Sequence, residues 1–447
     1  MNIEKIKIQF RQVSLYIFYG LIAYMPVHIF VSTIIGANFG GLEFLKIFKD
    51  ILLVVGFIAI FVSSLKQKWF KEWLSDSIVV AILLYAFLTI VLALIKPTDL
   101  DAEILGVTYN LRFLLFFLYG WLLVRTFPKN EIKTTTLKLV LSSSFVVVIF
   151  GIIQYLLLPN DALKALGFTK ANGVFPAFFI DDKPDLERVM STLRDPNSLG
   201  SYLIIISSLV IAGFVSAKNK FKKSWAIYGL LTLLCLWFTF SRSALIGLIL
   251  MIGIYGALYL RSNNKLKSKH LKIGGIGLLV SIMLFGGILF FARNSYFVQN
   301  VIFHADSSTT LEDPNELRIR FWKESVQEVA DAPLGNGPGT AGLASIKNDK
   351  QGTKLNENYY LQVASEVGII GLVLFLSIII LIVIRIYQAH PNNYFVYALL
   401  ASLAGLMFTN FLVHIWSNEA VAYTWWGLAG LVISSPTNKK TTVVKNR

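Results

Sequence analysis

Asn356-Glu-Asn358-Tyr-Tyr-Leu-Gln362-Val-Ala-Ser365-Glu366-Val-Gly368 runs without a break into apolar sequence that continues to about residue 384. A run of that length and composition is a membrane-crossing helix, because roughly 20 apolar residues span a hydrocarbon core. Its mouth is the exception. Asn358, Gln362 and Ser365 or Glu366 recur at three to four residues and share one helical face, with Glu357 just before them. Such a face either caps and solvates the helix end or lines a cavity.

Working outward, comparable apolar runs fall near 14–34, 44–64, 77–95, 111–127, 138–158, 198–216, 224–240, 243–260, 272–292, 360–384, 394–415 and 419–434. The composition agrees: of 447 residues 55% are hydrophobic and 15% charged, with mean hydropathy +0.64. A soluble core cannot bury that much apolar surface, and a membrane β-barrel would alternate in shorter segments. The fold class expected is all-α: a polytopic membrane protein with about 12 transmembrane helices in a single integral membrane domain, 1–447. Its largest loop is extracytoplasmic, between spans nine and ten. The first apolar run follows Lys5, Lys7 and Arg11 but is too long for a signal-peptide core and shows no clear cleavage site, so it reads as a retained span.

The net charge of +15 is a topology signal and does not call for nucleic acid. Lys and Arg gather at the N-terminus, in Lys66–Lys71, Arg125–Lys138, Lys218–Lys223 and Arg261–Lys272, and at the C-terminus, all on one side of a twelve-span chain. By the positive-inside rule that side is cytoplasmic and holds both termini. The single cysteine, Cys235, lies in an apolar run and offers neither a disulfide nor a metal site. No metal ligand set and no cofactor motif is evident.

Polar residues then collect at the outer ends. Lys49, beside Asp50, and Arg112 enter their spans from that side; each reads either as an interfacial anchor or as a contact for an anionic headgroup. The outer loop 159–197 ends in Glu187-Arg188 and Arg194-Asp195-Pro196-Asn197-Ser198, where Asn197 or Ser198 can cap the sixth span and the two arginines suggest an anion site. The turn Phe240-Ser241-Arg242-Ser243 joins spans seven and eight, so Arg242 sits at the outer surface within the bundle, where an unpaired charge is costly.

The large loop, 293–359, carries Asp313-Pro-Asn315-Glu316, a helix start, followed by Leu317, Phe321, Trp322, Val326 and Val329 at helical spacing. On that helix Arg318 and Trp322 share a face and Arg320 points elsewhere, as in an amphipathic helix on the membrane surface. Pro333-Leu-Gly335-Asn-Gly337-Pro-Gly339 ends it; glycines there permit close approach of backbone, but no Lys-Ser/Thr follows, so this is not a P-loop.

In order, Arg188…Pro196-Asn197-x-x-Gly200, Phe240-Ser241-Arg242-Ser243-Ala244, Arg318-x-x-x-Trp322 with the Pro/Gly segment, and Asn358-x-Tyr360-Leu with Glu366-x-Gly368 resemble the O-antigen ligase/polymerase superfamily. The resemblance spans residues 188–371 and the multi-span layout. It implies transfer of a glycan from a polyprenyl-pyrophosphate-linked oligosaccharide donor to a glycan or glycolipid acceptor, on the outer face of a bacterial cytoplasmic membrane, without metal or nucleotide. Arginines grip phosphate bidentately, so Arg242 and Arg318 are the expected pyrophosphate ligands, helped by Arg320, Arg188 or Arg194. Asn197, Asn358, Trp322, Lys49 and Arg112 are further binding candidates. Ligases of the superfamily carry histidine before the asparagine aligned with Asn358; here Glu357 stands there and is the expected general base, with His304, Glu366 and His414 as alternatives. A lipid-linked oligosaccharide flippase is the competing class; it would show two similar halves and midplane charges, and neither is evident.

Overall fold

The computed structural model describes residues 3–180, 183–262 and 314–433; the expected span 272–292 and His304 fall outside these. The chain enters as α1 (Ile3–Tyr24), breaks at the single-turn Met25-Pro26-Val27, and continues as α2 (His28–Phe39) and α3 (Leu42–Ser64). Next come α4 (Phe70–Leu74), α5 (Ser77–Ile95), α6 (Leu100–Thr126) and α7 (Lys129–Leu157). A two-stranded antiparallel hairpin, β1 (Phe178–Ile180) and β2 (Lys183–Arg188), interrupts the helices. They resume with α8 (Pro196–Ser216), α9 (Asn219–Phe238), α10 (Arg242–Ser262) and α11 (Pro314–Asp331). The last three are α12 (Tyr359–Ala389), α13 (Tyr394–Thr409) and α14 (Glu419–Val432).

Eleven of the twelve expected spans coincide with helices or helix pairs, and among the described residues seven segments are long and apolar enough to cross a membrane by length and composition. The protein is an all-helical polytopic membrane protein. Local chemistry sets the helix ends. Asn358, Asn393 and Asn418 each cap the helix that follows, accepting backbone N–H groups with the side-chain oxygen. At α8 the expectation was that Asn197 or Ser198 would cap. Instead Asp195 does so, accepting from the Ser198 N–H at 2.9 Å and its hydroxyl at 2.6 Å, with Pro196 in the first turn where a missing N–H costs nothing.

α6, α8 and α14 are the innermost helices; α14 packs on α6, and α13 on both α8 and α10. Small residues let backbones meet without lipid-excluding side chains between them: a methyl added at Gly405 would lie 2.5 Å from the Gly247 carbonyl oxygen, which fixes the α10–α13 crossing. Large side chains left outward, such as Phe87, Leu94 and Leu230, give the bundle its apolar jacket.

The segment from Pro159 to Asn197 is more than a connector. Leu163, Phe168, Val174 and Met190 form a separate small core backed by Ile29, Phe30 and Phe150, so the hairpin is held on α2 and α7. It thereby fixes Arg188 and Arg194 over the end of the bundle.

Candidate active site: an arginine- and carboxylate-lined cleft

Three segments distant in sequence meet at one end of the bundle. Arg188, at the end of β2, donates from Nη2 to Asn197 Oδ1 at 3.0 Å and from Nε to the Thr239 carbonyl at 3.1 Å. Ser241 Oγ donates to the same Asn197 oxygen at 3.0 Å, and Arg242 is the next residue. Burial lowers the Arg188 pKa to about 10; Asp195 opposes this and the nearby positive charge of Arg242 adds to it. The structure therefore brings Arg188, Asn197 and the Arg242 turn together, as the motif order implied.

A cleft of about 280 Å³ opens beside this group, lined among others by Arg188, Arg194, Asn197, Glu357, His414 and Glu419. Glu357 arrives from the large loop and accepts from Arg318 Nε at 2.8 Å. Their side chains are 34% and 25% exposed, so water and ligand reach the pair. Arg320 lies on the other side of α11, 51% exposed and 3.9 Å from Glu324. Trp322 shares the Arg318 face, and its indole N–H is buried without a hydrogen-bond partner among the described residues.

Backbone strain marks the same places. Among the described residues, four non-glycine positions have positive φ: Asp161, Ser191 (53°), Phe240 (46°) and Glu357 (44°). The last three stand in the three segments that build this end of the molecule. Such conformations cost about 1–3 kcal/mol each and persist where surrounding structure enforces them, commonly at functional sites.

The polar face of α12 has a different use from lining the cleft. Asn358 is the cap, its Oδ1 accepting from the Tyr360 and Leu361 N–H groups. Glu366 is fully buried and accepts from Asn110 Nδ2 at 2.7 Å and the Gly339 N–H at 2.8 Å. Tyr85 donates to Asn110 behind it at 2.9 Å. The Pro/Gly segment thus packs on protein: Gly337 N–H donates to the Glu366 carbonyl, Lys96 Nζ to the Gly335 carbonyl, and a methyl at Gly339 would come within 2.3 Å of the Ala102 carbonyl oxygen. The backbone approach that glycine permits here is to α6, and α12 kinks at Gly368 (φ 79°) to receive the segment. This plug holds Glu357 in register.

Lys49 and Arg112 join a separate cluster. Lys49 Nζ lies 2.7 Å from Asp50 and 3.5 Å from Glu419, and Arg112 lies 3.2 Å from Glu419 and donates to the Ser417 carbonyl. Tyr423 adds a bond to Asp50 at 3.1 Å. Two cations and two anions close on one another there. His414 lies in the loop between α13 and α14, where burial lowers its pKa to about 4 and keeps it neutral near pH 7. Sequence reasoning placed Glu419 at the outer turn of the last two spans but missed Asp195 as the cap and Ser417 as a builder of this end. Only the cap pattern Asp-Pro-x-Ser was visible for the first, and nothing local marked the second.

A polytopic membrane protein with basic and acidic side chains converging on an open cleft is the class that fold and site define. A family model described as O-antigen ligase matches residues 227–376, which carry the Arg242 turn, α11 and the start of α12. An O-antigen polymerase of Salmonella muenchen is 25% identical over 324 residues, 70% of this chain and 77% of that protein. Together these findings support assignment of the chain to the O-antigen ligase/polymerase superfamily.

Proposed function

We propose that the protein assembles surface polysaccharide by transferring a glycan from a polyprenyl-pyrophosphate-linked oligosaccharide to a hydroxyl of a glycan or glycolipid acceptor, without a metal and with inversion. The observation that carries this reading is the Arg318–Glu357 contact at the rim of a cleft also lined by Arg188, Arg194 and Asn197. The family match and the curated relative support a membrane enzyme of glycan assembly.

In this reading the pyrophosphate of the donor is bound by Arg318 and Arg242, with Arg188 and Arg194 adding positive charge, while the lipid tail lies among the outer apolar side chains. A guanidinium grips two phosphate oxygens at once and offsets the charge that builds on the leaving group. Drawing Arg318 onto the pyrophosphate releases the Glu357 carboxylate. That carboxylate takes the proton of the acceptor hydroxyl as its oxygen bonds to the anomeric carbon. The bond from that carbon to the pyrophosphate oxygen breaks, and the polyprenyl pyrophosphate leaves with the electron pair. The cleft faces outward from a bacterial inner membrane, with both chain termini cytoplasmic.

Purified protein in liposomes, supplied with a polyprenyl-pyrophosphate oligosaccharide, tests this. Longer lipid-linked chains identify a polymerase and transfer to a second acceptor identifies a ligase. Movement of the glycan between leaflets with no new glycosidic bond would overturn the enzyme reading in favour of a flippase.

A further inference from the structure

The proposed function leaves the acceptor unplaced, and the turn from His414 to Glu419 supplies a place for it. Ser417, Asn418 and Glu419 line the same cleft as Glu357, from a different element than the arginines. Ser417 is 4% exposed, yet its Oγ meets no hydrogen-bond partner among the described residues, and the same holds for His414 Nε2. Unsatisfied buried polar atoms cost about 1–3 kcal/mol each and are uncommon in native structures. Three such atoms lie on this six-residue turn, Trp416 Nε1 among them, and the two whose residues border the cleft, Ser417 Oγ and His414 Nε2, mark groups waiting for a ligand's hydrogen bonds.

The chemistry of that ligand follows from the charge. Arg112 and Lys49 grip Glu419 from behind while its side chain keeps 14% exposure towards solvent, so a fixed carboxylate is presented with its charge already balanced. Arg112 also holds the Ser417 carbonyl, which sets the shape of the turn. A neutral wall of carboxylate oxygen, hydroxyl and neutral imidazole has little to offer a phosphate. It matches vicinal hydroxyl groups, which donate to the carboxylate and exchange hydrogen bonds in either direction with serine and histidine. We propose that the His414–Glu419 turn is the acceptor subsite, binding an uncharged polyhydroxylated glycan end next to Glu357, with Arg112 and Lys49 as positioning residues. This rests on the glycan-transfer reading above.

The test uses the full chain in nanodiscs without lipid-linked donor. The probe is the free oligosaccharide released from the donor, with binding followed by intrinsic tryptophan fluorescence. Saturable binding is expected, weakened about fivefold to tenfold by Ser417→Ala, a fold-change equivalent to roughly 1–1.4 kcal/mol. His414→Asn should weaken it similarly, and inorganic pyrophosphate should leave it unaffected. Because Ser417→Ala deletes an oxygen that has no partner among the described residues, folding is not at stake, whereas Glu419→Gln disturbs the ion cluster and serves only as a secondary variant. Absence of saturable binding, equal affinities in the wild type and both variants, or one-for-one displacement by pyrophosphate would each overturn the subsite. In the liposome assay the acceptor KM of Ser417→Ala should rise by the same factor. If the wild type binds the oligosaccharide but forms no glycosidic bond from donor, the transfer reading fails while the binding site stands, so the two failures are distinguishable.

Discussion

Two groups of ion pairs sit at the same end of the bundle and differ in almost every physical respect. Arg318 and Glu357 make one contact of 2.8 Å, with a quarter or more of each side chain open to water. Lys49, Asp50, Arg112 and Glu419 interlock, the two cations only 4% and 3% exposed. An open pair is worth about 0–1 kcal/mol, because water and counterions compete for both partners. A buried network is costly to assemble and more costly to break, about 3–5 kcal/mol when one partner is removed. The open pair can therefore exchange partners with a charged ligand, and the closed one cannot without disturbing the fold. An arginine at a helix mouth is thus no sign of ligand binding by itself. What decides is whether acids accompany it in space, and Glu419 lies 307 residues from Arg112 in sequence.

The largest effect should come from the open pair and appear only in catalysis. Arg318→Ala or Arg242→Ala is expected to reduce turnover in the liposome assay by about two to three orders of magnitude, the range seen when one group that stabilises transition-state charge is lost. Glu357→Gln should fall within about 10²–10⁴-fold, as for loss of a general base. The thermal unfolding midpoint in detergent should stay close to wild type for Arg318→Ala and Glu357→Gln. Near-normal turnover in either arginine variant would remove these residues from the site.

Arg112→Ala should behave in the opposite way. It leaves Glu419 and Asp50 facing one another with Lys49 alone, and should destabilise the folded state by about 3–5 kcal/mol. The check is a thermal melt followed by size exclusion. A shift corresponding to less than about 1 kcal/mol would place this cluster with ordinary surface pairs and erase the contrast.

This contrast also explains what was legible in the sequence. Apolar run length gave the helices, because hydrocarbon thickness imposes it locally. The order of motifs gave Arg188, Asn197 and the Arg242 turn as one group, and they do meet through the Asn197 oxygen. Partners chosen across hundreds of residues were not legible. Asn358, singled out as a binding candidate, instead follows the other reading its local sequence offered, its oxygen occupied as a helix cap. The glycines of 335–339 read as ligand-facing from composition alone, but their close neighbours are α6, α12 and the Lys96 turn. Glu366, the one acid on its helix, is committed to Asn110 and Gly339 rather than to the cleft.

A smaller effect is expected in acid. Burial holds the His414 pKa at about 4 in the fold, against 6.5 when the ring is free in water. The fold thus favours the neutral ring. The stability this group contributes is fully present above pH 6.5 and is lost as pH falls through about 4, because the unfolded chain takes up the proton first. His414→Asn should therefore flatten the unfolding midpoint plotted against pH between 6.5 and 4 relative to wild type. An unchanged slope would mean that the ring is hydrated and outside the cleft.

The smallest effect is reserved for Arg320, two residues from Arg318 and identical to it in charge. Its side chain is 51% exposed, and Glu324 stands 3.9 Å from it on the same helix face. A pair of that kind contributes about 0.3–0.5 kcal/mol. Helical spacing turns Arg320 away from Glu357, so it meets a donor only through long-range charge, which salt screens beyond about 10 Å. Arg320→Ala is expected to shift the unfolding midpoint negligibly and to raise the donor KM by no more than about twofold, an effect that disappears at high ionic strength. The same loss of positive charge at two positions of one helix would then give results orders of magnitude apart. That difference would show that geometry, and not net charge, gives Arg318 its role. If Arg320→Ala matched Arg318→Ala in turnover at every salt concentration, α11 would act as a basic surface rather than through one placed guanidinium, and the Arg318–Glu357 exchange would lose its support.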